Sequence, residues 1–171
     1  MSEDLHSFIK GQLWLKLKAD VQRLFVINRA ELVSAAYFHI RRLLLIQPGW
    51  TCRVQPHGEK PDLLLHKDNA FRAAIRCEFT IRQDGAGFPA ESLNSSMDML
   101  RAVVNRLSSP GLGHGYLIGV FDSAEPELYP QDEEGYQVCH WLPINCHEFP
   151  NYSEWRAGWN RLVNDTSEIN R

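Results

Sequence analysis

Across residues 107–155 the chain has no lysine and no arginine, against eight acidic residues. Such a block repels phosphate, so a nucleic-acid site belongs to the first two thirds, where residues 1–106 carry 15 Lys/Arg against 11 Asp/Glu. The acids of 122–134 make either a solvated loop or a surface for a basic protein partner. Long apolar runs are lacking as well. The longest stretch without a charge, 107–121, is broken by Pro110 and four glycines, which excludes a membrane helix there. No basic segment followed by an apolar core stands near Met1, so no signal peptide is expected. Cys-x-x-Cys is absent. Four cysteines (Cys52, Cys77, Cys139, Cys146) are too few for a disulfide framework, and a reducing, cytoplasmic setting is the expectation. No internal repeat is visible.

What is present is an ordinary globular composition. The chain has 171 residues, 44% hydrophobic and 23% charged, enough for one domain over 1–171 with a real core. Helical spacing of apolar residues predicts helices over 5–18 and 28–46, the second ended by Pro48-Gly49. Short strands are expected over 51–55 and 61–66, followed by turn chemistry at Lys67-Asp68-Asn69. Residues 73–82 alternate with a period of two and predict a strand with one core face and one polar face. Pro89 opens a further helix with a stripe of Leu93, Met97, Leu100, Val104 and Leu107. A buried strand over 116–121, an acidic loop over 122–135, a strand over 136–142 and a closing helix over 151–163 complete an α/β reading.

Two carboxylates stand out on these strands. Asp62 follows Pro61 at the start of the second strand, and Glu78 lies on the third, an even number of residues away. With the hairpin centred near Ala70 they would face each other within about 5 Å. Two such carboxylates repel unless a cation lies between them, and hard oxygen ligands with room for water suit Mg²⁺ or Mn²⁺. A metal there would polarise a phosphodiester and acidify a water for attack.

In its helix, three strands, helix, strand order, its Pro61-Asp62 and its Glu78-Phe79-Thr80, the sequence resembles the PD-(D/E)XK nuclease superfamily over roughly 28–121. The resemblance implies a restriction-endonuclease-like αβββαβ core, a mixed sheet flanked by helices with extra helices at both ends. It implies DNA hydrolysis with Mg²⁺ or Mn²⁺ held by Asp62, Glu78 and, in the first helix, Glu31. The superfamily places a lysine where this chain has Thr80. Lys60, two residues before Asp62, is the replacement the resemblance allows, since that lysine migrates between elements in the superfamily. Arg76 and Arg82 join Lys60 as candidate phosphate contacts, though arginine is too basic to serve as a general base.

Structural alternatives stand beside each assignment. Asn28 and Glu31 fit a helix capping box. Asp62 and Glu78 fit cross-strand ion pairs with Lys60 and Arg76. Cys139-His140 and Cys146-His147 suggest zinc by residue type, but neighbours on a strand point to opposite faces. Gly111, Gly113 and Gly115 precede a strand and so make no phosphate-binding loop. Trp155 and Trp159 read as core or interface. Two functions follow: a metal-dependent DNA endonuclease, or an inactive nuclease-like binding or scaffold subunit of a nucleic-acid-processing or defence complex. Neither involves a membrane, and a domain of this size suits a homodimer or a larger assembly.

Overall fold

The computed structural model describes residues 2–55, 61–85, 87–108, 113–125 and 139–169. Helix α1 (Ser2–Ser7) runs through a π-helical turn (Phe8–Leu13) into α2 (Trp14–Gln22). Helix α3 (Arg29–Leu43) starts at a reciprocal cap. The Asn28 side chain accepts from the Glu31 N–H at 2.9 Å, and the Glu31 carboxylate accepts from the Ile27 N–H at 2.7 Å. Leu32, Ala36 and Ile40, four apart, form its buried stripe.

Strands β1 (Trp50–Val54), β2 (Leu63–Lys67) and β3 (Ala70–Phe79) form an antiparallel meander. Helix α4 (Ala90–Leu107) then crosses over to β4 (His114–Phe121), parallel to β3, and β5 (Cys139–Asn145) lies parallel to β4. The sheet order is β1-β2-β3-β4-β5. A short 3-10 turn (Cys146–Glu148) leads to α5 (Tyr152–Ile169). The protein is thus α/β, with a five-stranded mixed sheet flanked by helices. Among the described residues no helix is long and apolar enough to cross a membrane.

Each sheet face has its own core. On one face Leu63, Leu65, Ile75, Cys77, Ile118 and Ile144 pack against the helices on either side of the sequence, including Leu13, Leu17, Leu32, Trp155 and Trp159. Indole N–H groups tie these layers together: Trp14 donates to the Pro143 carbonyl, Trp155 to Val21 and Trp159 to Ile27, at 2.7–2.9 Å. On the other face α4 lays Leu93, Met97, Leu100 and Val104 over Ala74, Leu117 and Cys139.

Three sequence expectations change in detail. Strand β3 is not half solvated: α4 covers its second face, so Ala74 and Glu78 are buried along with Ile75 and Cys77. The hairpin turns at Asp68-Asn69, both with positive φ as a two-residue type I′ turn requires, and not at Ala70. A bulge between Leu65 and His66 moves the register back by one residue, so Leu63 faces Ile75 and Asp62 falls beside Arg76 instead of Glu78. Leu107, the last residue of the α4 stripe, is exposed. Lys60, residues 136–138 and most of the acidic block lie outside the described residues.

The α4 face of β4 is packed tightly against β5. A Cβ on Gly119 would meet the Trp141 ring at 2.3 Å, whereas one on Gly11 meets nothing within 4 Å. Gly119→Ala is therefore expected to lower unfolding free energy by about 1–3 kcal/mol, as overpacking does. Gly11→Ala is expected to be neutral or to stabilise by up to about 1 kcal/mol. Urea unfolding of the two variants checks this, and equal effects would contradict the packing of β4 described above.

Candidate functional site

The carboxylates singled out by the sequence sit where β2 begins and β3 ends. Asp62 continues the sheet beyond β2: its N–H donates to the Ile75 carbonyl, and its own carbonyl accepts from the Gln55 N–H, both at 2.8 Å. Asp62 is 6% exposed and both carboxylate oxygens are engaged. Oδ1 accepts from the Arg29 guanidinium at 2.5 Å, and Oδ2 accepts from the Cys77 N–H at 2.7 Å. Glu78, 9% exposed, accepts on Oε1 from Arg76 at 2.7 Å and from the Ser96 hydroxyl at 2.6 Å. Its Oε2 lies 3.9 Å from Arg29 Nε, which donates to the Cys77 carbonyl at 2.9 Å.

The two carboxylates therefore converge on one guanidinium, delivered by the first residue of α3. The other candidates lie differently. The Glu31 carboxylate is taken up by the cap of α3. The Thr80 hydroxyl donates to the Val120 carbonyl at 3.1 Å, extending the contact between β3 and β4. Arg76 is held against Glu78, so its charge is met inside the protein. Arg82 is exposed beyond the end of β3. Beside it, at the C-terminal ends of β3 and β4, opens a cleft of about 260 Å³ lined by Thr80, Arg82, Asp84, Phe88 and Asp122. Ligands favour that end of a parallel α/β sheet.

Chemically, this arrangement binds charge more readily than it moves protons. Arginine stays protonated at any working pH and takes no proton from water. The Thr80 hydroxyl is no base at neutral pH. A divalent ion on Asp62 and Glu78 would have to displace Arg29. At the far side of the cleft Asp122 is buried against the Tyr152 hydroxyl at 2.7 Å, His147 at 3.2 Å and Arg156 at 3.5 Å. Burial and the bond to Asp122 push the Tyr152 hydroxyl up to about 12.

The doubled Cys-His pairs do not converge. Cys139 faces α4 while His140 faces the opposite layer. Cys146 is buried and its thiol is pushed well above its ordinary range by desolvation, so it is no nucleophile, and His147 is bound to Asp122. The sequence reading missed a different cluster. His114 at the start of β4, His140 at the start of β5 and His6 of α1 meet at the opposite end of the sheet. In the β3–β4 register Ala73 faces His114 and Glu78 faces Gly119, so the cluster lies about 16 Å along the strands from Glu78. Desolvation, with Lys10 and the neighbouring imidazoles, lowers His140 to about 3.

Two measurements probe these networks. Ser96→Ala removes one of the two hydrogen bonds to Glu78 Oε1, the Arg76 bond remaining, and is expected to cost about 1–3 kcal/mol in denaturant unfolding, whereas the exposed Ser95→Ala should stay within about 0.5 kcal/mol. His140 takes its proton more readily in the unfolded chain. Stability from this group is thus complete above about 6.5, the ordinary histidine value, and is lost as pH falls towards 3. In chelator, acid unfolding should be less steep across that window for His140→Phe than for the wild type, and equal slopes would contradict a buried neutral imidazole.

Compared with models of known families, with curated proteins and with solved structures, the chain finds no match.

Proposed function

We propose that this chain is a nuclease-like module that binds nucleic acid without hydrolysing it. The observation that carries this reading is Arg29, whose guanidinium stands against both Asp62 and Glu78, where a nuclease of the PD-(D/E)XK type would hold its divalent cation. The αβββαβ order running from α3 through β4 supports the nuclease-like part of the proposal. Thr80 in place of the superfamily's lysine supports the loss of hydrolysis, because neither it nor the arginines can deprotonate water. The cationic excess of residues 1–106, with Arg82 and Arg53 exposed, supports binding to a polyanion. As arranged, the donor set does not fit Mg²⁺ or Mn²⁺: three of the four carboxylate oxygens are hydrogen-bonded to protein donors and the fourth faces Arg29.

The convergence of Asp62 and Glu78 on one point favours a second reading, a metal-dependent DNA endonuclease with Lys60 supplying the missing amine. Cleavage and binding assays separate the two. On the proposal, the wild type leaves duplex and single-stranded DNA intact in Mg²⁺ and in Mn²⁺, and Lys60→Ala is silent for cleavage. DNA affinity, followed by fluorescence anisotropy in EDTA, falls steeply with salt and drops severalfold in Arg82→Ala. Cleavage by the wild type that is lost in both Asp62→Asn and Lys60→Ala would establish the nuclease instead. Absence of salt-dependent DNA affinity would overturn the binding role.

A further inference from the structure

We propose that His6, His114 and His140 form a binding site for one transition-metal ion of the Zn²⁺ class. One ring nitrogen from each residue lies within 4.8 Å of the other two. His114 Nδ1 and His140 Nε2 are 3.1 Å apart, close to the spacing of about 3.3 Å between two nitrogens on a tetrahedral zinc with bonds of about 2.05 Å. The third imidazole must move closer to complete the set, and it comes from α1, the first helix of the chain. An all-imidazole set suits Zn²⁺, Cu²⁺ or Ni²⁺ and not Mg²⁺ or Ca²⁺.

The surroundings are those of a built site. His6 Nδ1 is bonded to the Tyr116 hydroxyl at 2.9 Å, which fixes the ring and leaves Nε2 for a metal. Tyr116 is fully buried, on the same sheet face as His114 and directly opposite His140. A hydroxyl holding the distal nitrogen of a ligand imidazole is the outer-shell support that metal histidines ordinarily have. His140 is itself buried, 4% exposed, and turns its Nε2 towards His114. The helix carrying His6 widens into its π-helical turn two residues later, a distortion frequent at functional sites. Three histidines leave a fourth position open for water or an anion, and the charge of Lys10 is felt at both His6 and His140.

The full chain, stripped with EDTA, is titrated with Zn²⁺ by calorimetry and with Co²⁺ by visible absorption. One ion per chain with the intense spectrum of a tetrahedral site is expected, with at least 100-fold weaker binding in His6→Gln and in His114→Gln, both at half-buried positions. Tyr116→Phe should weaken binding about 10- to 100-fold while keeping all three ligands. His39→Gln and His147→Gln should bind like the wild type. Independently of any variant, side-chain nitrogen NMR of the wild type should show Zn²⁺ moving three imidazoles and no others. No saturable binding by the folded wild type, unchanged affinity in His6→Gln and His114→Gln, or Zn²⁺ shifts confined to other histidines would each overturn the site.

Discussion

The guanidinium of Arg29 ties α3 to two strands that would otherwise present like charges to one another. It stands at the first turn of α3, bonds the Cys77 carbonyl of β3, pairs with Asp62 beside β2 and faces Glu78 of β3. Two carboxylates buried this close need a cation, whether a metal ion or an arginine. In this chain Arg29 and Arg76 meet that requirement from inside the fold, and the Asn28–Glu31 cap fixes where Arg29 begins its helix. The carboxylates are thereby structural in the first instance. Their removal would leave arginines facing a buried, partly satisfied pocket, a costly change even with Arg29 half exposed.

The sheet carries different chemistry at its two ends. At the C-terminal ends of β3 and β4 are carboxylates, arginines and a polar cleft; at the other end are three imidazoles around a buried tyrosine. The first set favours hard, oxygen-seeking partners and is already neutralised. The second offers nitrogen lone pairs that burial keeps unprotonated. On the readings proposed here, a metal of borderline softness would sit with the histidines and a phosphate-bearing ligand near Arg82.

Local signals read well from the sequence because they depend on neighbours in the chain. Asn28 and Glu31 announced the cap, the alternation of 73–82 announced β3, which runs over Ala70–Phe79, and the Leu93-Met97-Leu100-Val104 stripe announced the buried face of α4. The pairing of Asp62 did not, because a single bulge between Leu65 and His66 and a tighter turn changed what it faces. Arg29 gave no warning: it reads as an ordinary helix residue, and its partner Asp62 is 33 positions away. The histidine cluster was equally hidden. His114 and His140 are 26 positions apart on neighbouring parallel strands, and His6 comes from the opposite end of the sequence, so no spacing motif connects them.

The central claim, that arginine holds the place of a divalent cation between Asp62 and Glu78, is tested most directly by paramagnetic broadening. With the amide resonances assigned, substoichiometric Mn²⁺ is added and line widths are followed residue by residue. If Arg29 occupies the pair, the amides of Cys77 and Glu78 keep their line widths relative to the rest of β3. Selective broadening of those two amides, abolished in Asp62→Asn, would place a metal ion between the carboxylates and contradict the account.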